Sequence, residues 1–374
     1  MSSVVKEPSP VEEHYTIDTD FHLQIDHELL YDYVEDDYLR KRLESDGTPP
    51  IPYMGGNPFY SWESRKSKAT TQGAAVTKEE ISGVMDDWGL DIATVSPLPN
   101  TFMANGRYPR IQKACIRAYH EYLLDRVVDP EAGIYALAIA NDFDAEWTAE
   151  ELDRIGAEDG IVGATNWVNN DPPMGLAEND AIWDVLDARD MPIVFHQGSG
   201  GGRWDPYEKH YESAERLISG QFYQVSGNIM NMIMTGVFDK YPDLDVLIQE
   251  QGTAWIPYMA NHADQLYEEY SEDVALTERM YADLEQRSLK RNPSEYLYDN
   301  VYVTTQPIAL PRRGDHVKSA LEIRRAKEMF LFSTDWPHST VDTPDWVNHS
   351  QIDDDLREHI LHKNAQEVFD YTAA

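Results

Sequence analysis

Residues 15–22 read Tyr15-Thr16-Ile17-Asp18-Thr19-Asp20-Phe21-His22, and the fold turns on how that stretch is read. Tyr, Ile, Thr and Phe are strand formers, and neither Gly nor Pro interrupts them. A strand sends alternate side chains to opposite faces. Strict alternation places Thr16, Asp18, Asp20 and His22 on one face and Tyr15, Ile17 and Phe21 on the other. Two carboxylates and an imidazole on one face of an apolar strand are costly to bury unless something pairs with them. A divalent cation is one such partner. A polar edge strand facing water is the plainer alternative, and the rest of the chain decides between them.

Seven further apolar runs follow, each with a helical pattern after it. The runs are 92–96, 134–140, 160–165, 192–196, 244–249, 300–304 and 329–333. Helical stretches are expected at 26–43, from the Thr77-to-Glu80 capping box to about Trp88, and at 109–127, 148–155, 178–189, 211–241, 255–289, 315–326 and 353–371. Gly89 ends the one that the capping box opens. Eight strand–helix units imply a parallel sheet with right-handed crossovers, and eight suggest closure into a (β/α)8 TIM barrel. An open doubly wound sheet is the alternative, weakened because the first strand–helix turn lacks GxGxxG. Residues 1–13 read as a loose polar tail. Residues 14–374 read as one domain, with an irregular insertion at about 44–76 rich in Pro, Gly, Ser and Thr.

Composition bounds the function. The 374 residues hold 31 Lys and Arg against 67 Asp and Glu, a net charge of −36. Such a charge repels phosphate backbones and anionic lipid, so neither nucleic acid nor membrane is expected as a partner. With only 12 lysines and acidic residues spread along the whole chain, the balance fits a cytoplasmic protein adapted to high salt. Polar residues 1–13 lack the apolar segment of a secretory signal. One cysteine, Cys115, excludes an intramolecular disulfide and multi-cysteine structural zinc.

A barrel of this kind carries its active site at the C-terminal ends of the strands. Asp20 and His22 stand at the end of the first, His196 at the fifth, Gln249-Glu250 at the sixth, and Asp335 with His338 at the eighth. Imidazole and carboxylate together suit Zn2+ or Mn2+. Any one of these histidines alone reads as structural; the set at four strand mouths reads as a metal centre. Gly198-Ser199-Gly200-Gly201-Gly202 is no Walker loop, and reads as either a plain turn or a place where backbone approaches a ligand. Arg203, Arg312 and Arg313 follow strands five and seven. An anionic small-molecule substrate in so acidic a protein needs a local arginine clamp, which makes these three the candidates. Trp183 and Tyr119 read as core.

Asp18-Thr19-Asp20-Phe21-His22, Phe195-His196, the run from Tyr241 through Glu250 to Trp255, and Ser333-Thr334-Asp335-Trp336-Pro337-His338 together resemble the amidohydrolase-related family. That family takes in aminocarboxymuconate-semialdehyde decarboxylase and the dihydroxybenzoate-type decarboxylases. The resemblance spans nearly the whole chain. It implies a metal-dependent (β/α)8 barrel, commonly dimeric, so a homodimer is expected. It implies Asp20, His22, His196 and Asp335 as metal ligands, with Asp335 also orienting water or substrate. One departure stands out: family decarboxylases carry a catalytic histidine after strand six, where this chain has Glu250. Glu250 then reads as a proton-transfer group, a ligand, or a carboxylate paired with a nearby Arg or Trp N–H. His338 reads as lying behind Asp335 or facing the substrate. The leading expectation is amidohydrolase-type hydrolysis of a small carboxylate, ester, lactone or amide. Non-oxidative decarboxylation of a small aromatic or unsaturated acid is the alternative. A barrel that binds a metal or ligand without chemistry remains a third.

Overall fold

The computed structural model describes residues 14–23, 25, 27–46, 75–97, 109–167, 173–196, 221–270, 288–307, 322–338, 341–348 and 352–372. The expected tail 1–13, residues 47–74 of the insertion, the glycine-rich turn and the three clamp arginines lie outside them.

Eight strands form one parallel sheet in chain order: β1 (Ile17–Leu23), β2 (Ile92–Pro97), β3 (Ile134–Ile139), β4 (Ile161–Trp167), β5 (Ile193–His196), β6 (Val246–Gln249), β7 (Val301–Thr304) and β8 (Phe330–Leu331). The segment after β8 then returns to β1. Thr19 N donates to Phe332 O at 3.1 Å, Asp335 N to Asp20 O at 3.1 Å, and His22 N to Trp336 O at 2.8 Å. The indole of Trp336 stacks on Phe21 with centroids 4.7 Å apart. This is the expected (β/α)8 barrel.

Alternation along each strand divides the core into two layers. Ile17, Leu137, Val194, Leu247 and Leu331 fill the barrel interior, with Val368 and Phe369 from the C-terminal segment packed against them. Phe21, Val95, Ala136, Phe195, Ile248 and Val303 face the helices, which supply Trp183, Tyr119 and Ile116. The parity decides what reaches the mouth. On β5, Ile193 and Phe195 point outward, so Val194 and His196 point in.

β1 departs from strict alternation. Its pairing with β2 slips between Asp18 and Phe21, one extra residue against Ala93 and Val95. This bulge puts Ile17 in the interior layer and Phe21 in the outer one, where simple alternation has them on the same face. Asp18 accepts from Asp20 N at 3.0 Å and Thr334 N at 2.9 Å, and its other oxygen accepts from the Thr334 hydroxyl. The carboxylate therefore pins the bulge and ties β1 to the segment after β8.

Several helix bounds are corrected. The expected helix at 26–43 is a 3-10 segment, His27–Tyr33, followed by the helix Asp37–Asp46. Asp36 breaks it, because its carboxylate accepts from the N–H groups of Tyr38 and Leu39 and so caps a new helix. The run at 109–127 is α-helical to Tyr122 and widens to a π turn over Leu123–Val127. Of the helix expected at 315–326, residues 315–321 lie outside the described residues; 322–325 are a turn, with Arg325 at φ 61°, and the short helix Ala326–Met329 follows. The closing helix is Asp354–Glu358, a π turn His359–Lys363, and Asn364–Val368. Helix Pro293–Asn300 was not expected, although Asn292-Pro293 with Glu295 is a start signal, and the structure forms a capping box there. The Thr77/Glu80 box and the Gly89 stop, at φ 66°, match expectation.

Candidate metal centre

The interior faces of β1 and β5, and the turns after β6 and β8, deliver six titratable side chains to one end of the barrel. His22 Nε2 is the hub. It lies 3.5 Å from Asp20 Oδ1, 3.2 Å from Asp335 Oδ1, 3.1 Å from Glu250 Oε1 and 3.2 Å from His196 Nε2. His196 Nε2 lies 3.0 Å from Glu250 Oε1 and 3.8 Å from Asp20 Oδ1. The structure thus brings together all four residues expected as ligands, and Glu250 stands among them. His338 closes the group. Its Nδ1 is hydrogen-bonded to Asp335 Oδ1 and lies 3.7 Å from Glu250 Oε1. Its side chain is 25% exposed where the other five are all but buried, so His338 both touches Asp335 and faces outward.

Glu250 and Asp335 share a backbone feature. Both hold left-handed φ angles, 58° and 59°, which non-glycine residues adopt at a cost of about 1 kcal/mol or more. Glu250 directly follows the last residue of β6, and Asp335 lies in the segment after β8 that pairs with β1. Glu250 N donates to Thr304 Oγ1 at 3.2 Å. Asp335 Oδ2 accepts from Gln306 Nε2 at 2.8 Å. Trp255 Nε1 donates to Gly252 O at 2.9 Å, so the indole is not Glu250's partner. Gln306 was not among the expected site residues. It sits past the end of β7, and no metal-ligand or motif spacing marks it.

Burial sets the electrostatics. It pushes the Asp20 carboxyl well above the usual range, and although the His196 charge pulls it down, Glu250 and Asp18 add to the rise. Asp335 is raised the same way, first by burial and then by the Glu250 charge. Burial would also raise Glu250, but the charge and hydrogen bonds of His196 and the hydrogen bond of His22 outweigh it and hold this carboxyl well below the usual range.

These residues fit a divalent cation. Among the described residues, both oxygens of Asp20 are buried without a hydrogen-bond partner, which is expensive for a carboxylate unless a cation neutralises it. Donor atoms of Asp20, His22, His196 and Glu250 lie within 4.8 Å of one another, as do those of His22, Glu250, Asp335 and His338. Ligands held about 2.1 Å from a common ion stand roughly 3–3.5 Å apart, close to most of the spacings above. Nitrogen and oxygen donors without sulfur suit Zn2+ or Mn2+. Among the described residues, no helix is long and apolar enough to cross a membrane.

Comparison with known proteins agrees with this architecture. A family model described as amidohydrolase matches residues 17–371. The gamma-resorcylate decarboxylase of a Polaromonas species is 24% identical over 298 residues, covering 76% of this chain and 85% of that protein. Among solved structures, the 5-carboxyvanillate decarboxylase of Novosphingobium aromaticivorans, complexed with manganese and 4-hydroxy-3-methoxy-5-nitrobenzoic acid, superposes with a TM-score of 0.72 at 19% identity, covering 98% of this chain and 99% of that one. A Polaromonas dihydroxybenzoic acid decarboxylase with bound manganese and 2-nitroresorcinol gives 0.65 at 20% identity, covering 95% and 96%. An amidohydrolase from Mycobacterium avium subsp. paratuberculosis gives 0.69 at 16% identity, covering 96% and 100%. A match running from the first strand to the segment after the last helix shows the family: the chain belongs to the amidohydrolases and is an enzyme of their metal-dependent hydrolase or carboxy-lyase kind.

Proposed function

We propose that this enzyme is a carboxy-lyase that removes the carboxylate of a small hydroxylated aromatic acid without oxidation, using Mn2+ or Zn2+. The observation that carries the reading is the place of Glu250. Hydrolysis, the leading expectation from the sequence, needs a base to deliver water, and Glu250 is the residue expected to serve. Glu250 instead lies inside the donor set, with Oε1 at 3.1 and 3.0 Å from two imidazoles, and is held below the usual carboxyl range. That makes it a ligand and a poor base. The similarity to gamma-resorcylate decarboxylase over most of both chains supports the same choice.

Asp20, His22, His196 and Glu250 would hold the ion. Asp335 stands at its edge, between His22 and His338. When bound, the ion supplies positive charge for the oxygen atoms of the substrate. The chain's own residues do the rest. Asp335, buried and hydrogen-bonded by Gln306 and His338, gives a proton to the ring carbon that bears the carboxylate. The carbon–carboxylate bond then breaks, its electron pair restores the ring, and carbon dioxide leaves. The outward-facing His338 resupplies the proton to Asp335. Arg203, Arg312 and Arg313 remain our candidates for binding the substrate's charge. A homodimer belongs to the same proposal and is checked by light scattering.

The test is a panel of hydroxybenzoates, a carboxyvanillate, esters and lactones, assayed with the manganese-loaded protein. Carbon dioxide release from an aromatic acid is the expected result, with Asp335→Asn lowering kcat by about a thousandfold or more. Turnover of esters or lactones with no carbon dioxide from any acid would return the protein to the hydrolases.

A further inference from the structure

The end of β7 contacts both left-handed residues, Glu250 at its backbone N–H and Asp335 at its carboxyl. We propose that Gln306 is a positioning residue for Asp335, and that it decides which carboxyl oxygen faces the reacting centre. For its kinetic part, this inference rests on the carboxy-lyase reading.

The argument starts from the carboxyl group itself. Rotation about the last side-chain bond of an aspartate is soft, so the backbone alone does not set the plane of its carboxyl. At Asp335 the main chain is fixed by its own N–H, which donates to Asp20 O at 3.1 Å. The carboxyl plane is fixed by Gln306, which is 2% exposed and whose Nε2 lies 2.8 Å from Oδ2. That leaves Oδ1 facing His22 Nε2 at 3.2 Å and His338 Nδ1. An amide N–H only donates, so Oδ2 stays an acceptor. Oδ1 is therefore the oxygen that faces the ligand set.

Gln306 is itself held in place. Thr305 N donates to Leu331 O at 2.9 Å, continuing the β7–β8 pairing past the strand end. The Thr304 hydroxyl donates to Gln306 O at 3.4 Å and accepts from Glu250 N at 3.2 Å. One rigid turn thus locates Glu250 through its backbone and Asp335 through its side chain. Its sequence, Thr304-Thr305-Gln306, contains no group that binds a metal strongly or moves a proton.

The experiment compares Gln306→Met, of similar length but without the amide, with Gln306→Asn, which keeps a polar group but is too short to reach Oδ2. Both are made in the full chain, loaded with Co2+ for visible absorption and metal titration, and with Mn2+ for kinetics on an aromatic acid. The expected result is a shifted Co2+ band, metal affinity weakened about tenfold, and kcat lowered about 10- to 100-fold with KM within about twofold. Parent spectrum, affinity and kcat in a folded variant would overturn the proposal. So would a lower melting temperature with an unchanged spectrum, which marks a merely structural role. If the Met variant fails to fold, the Asn variant still decides. If the parent chain binds Co2+ but decarboxylates nothing, the carboxy-lyase reading fails, while spectrum and affinity still judge Gln306.

Discussion

The Nε2 atoms of His22 and His196, 174 positions apart in the chain, stand 3.2 Å from each other, and both face Oε1 of Glu250. Two ring nitrogens aimed at one carboxylate oxygen, beside the buried Asp20 carboxylate, form a cage for a cation.

His196→Ala should therefore weaken binding of Mn2+ or Zn2+ by about a hundredfold or more. Elemental analysis after dialysis measures it, and a full equivalent retained at micromolar metal would contradict the cage. Affinity should also fall as pH falls. Burial makes Asp20 hold its proton to higher pH than an ordinary carboxyl, and the ion must displace that proton.

Asp18 touches three donors and no proposed ligand nitrogen. Asp18→Ala strands the N–H groups of Asp20 and Thr334 and the Thr334 hydroxyl inside the protein. A loss of about 2–4 kcal/mol of stability is expected, with weaker metal binding because the bulge places Asp20. Urea unfolding of the metal-free protein separates the two effects. An unchanged midpoint would show that the β1 bulge holds without its carboxylate.

Glu151 joins two helices to the barrel. Its carboxylate pairs with His120 Nδ1 at 2.8 Å, Arg117 at 2.8 Å and Arg154 at 2.6 Å, while His120 Nε2 accepts from Ile139 N at 2.9 Å. Burial would raise this carboxyl, but its hydrogen bonds to His120, Arg154 and Arg117 hold it far below the usual range. A depressed folded pKa adds stability above the unfolded value near 4 and loses it as pH falls through the folded value. Glu151→Gln should cost about 2 kcal/mol at pH 7 and much less near pH 2. Equal losses at both pH values would rule out the ionic part of the network.

At the opposite end of the barrel, Asp245 behaves in the reverse sense. Burial, with the charges of Asp190, Asp243 and Glu367, pushes its carboxyl up to about 7. A raised folded pKa leaves stability intact below the unfolded value near 4 and removes it as pH rises to about 7. Asp245→Asn should then stabilise the protein at pH 8 by about 1–3 kcal/mol, change little at pH 4, and lose part of its effect in molar salt as the neighbouring charges are screened. Thermal melts at two pH values and two salt concentrations check this. A destabilised variant at pH 8 would mean that Asp245 is ionised at no cost.

The eight strands were legible because each is an apolar run between polar helices, and His196 was legible as a polar residue at the end of one such run. The ligands of β1 were legible as residue types at strand ends. Faces on β1 were not, because a bulge is a pairing event between two strands and leaves no mark in one strand's own pattern. Helix breaks at Asp36 and at Leu123–Val127 were missed for a like reason: capping and packing overrode a continuous periodicity.

Glu250 shows where the boundary falls. Its chemistry, its position after β6 and the three roles open to it are all written in the chain order. Which role it takes depends on where a left-handed turn aims its carboxylate, and on two imidazoles contributed by strands 228 and 54 residues away. Gln306 is the stronger case. An amide carries no signal of function in sequence, and only its 2.8 Å approach to Asp335 reveals one. Local order settles which residues reach the mouth of the barrel, because a strand's period is local. Closure of the sheet settles which of them meet, because that distance is a property of the whole cylinder.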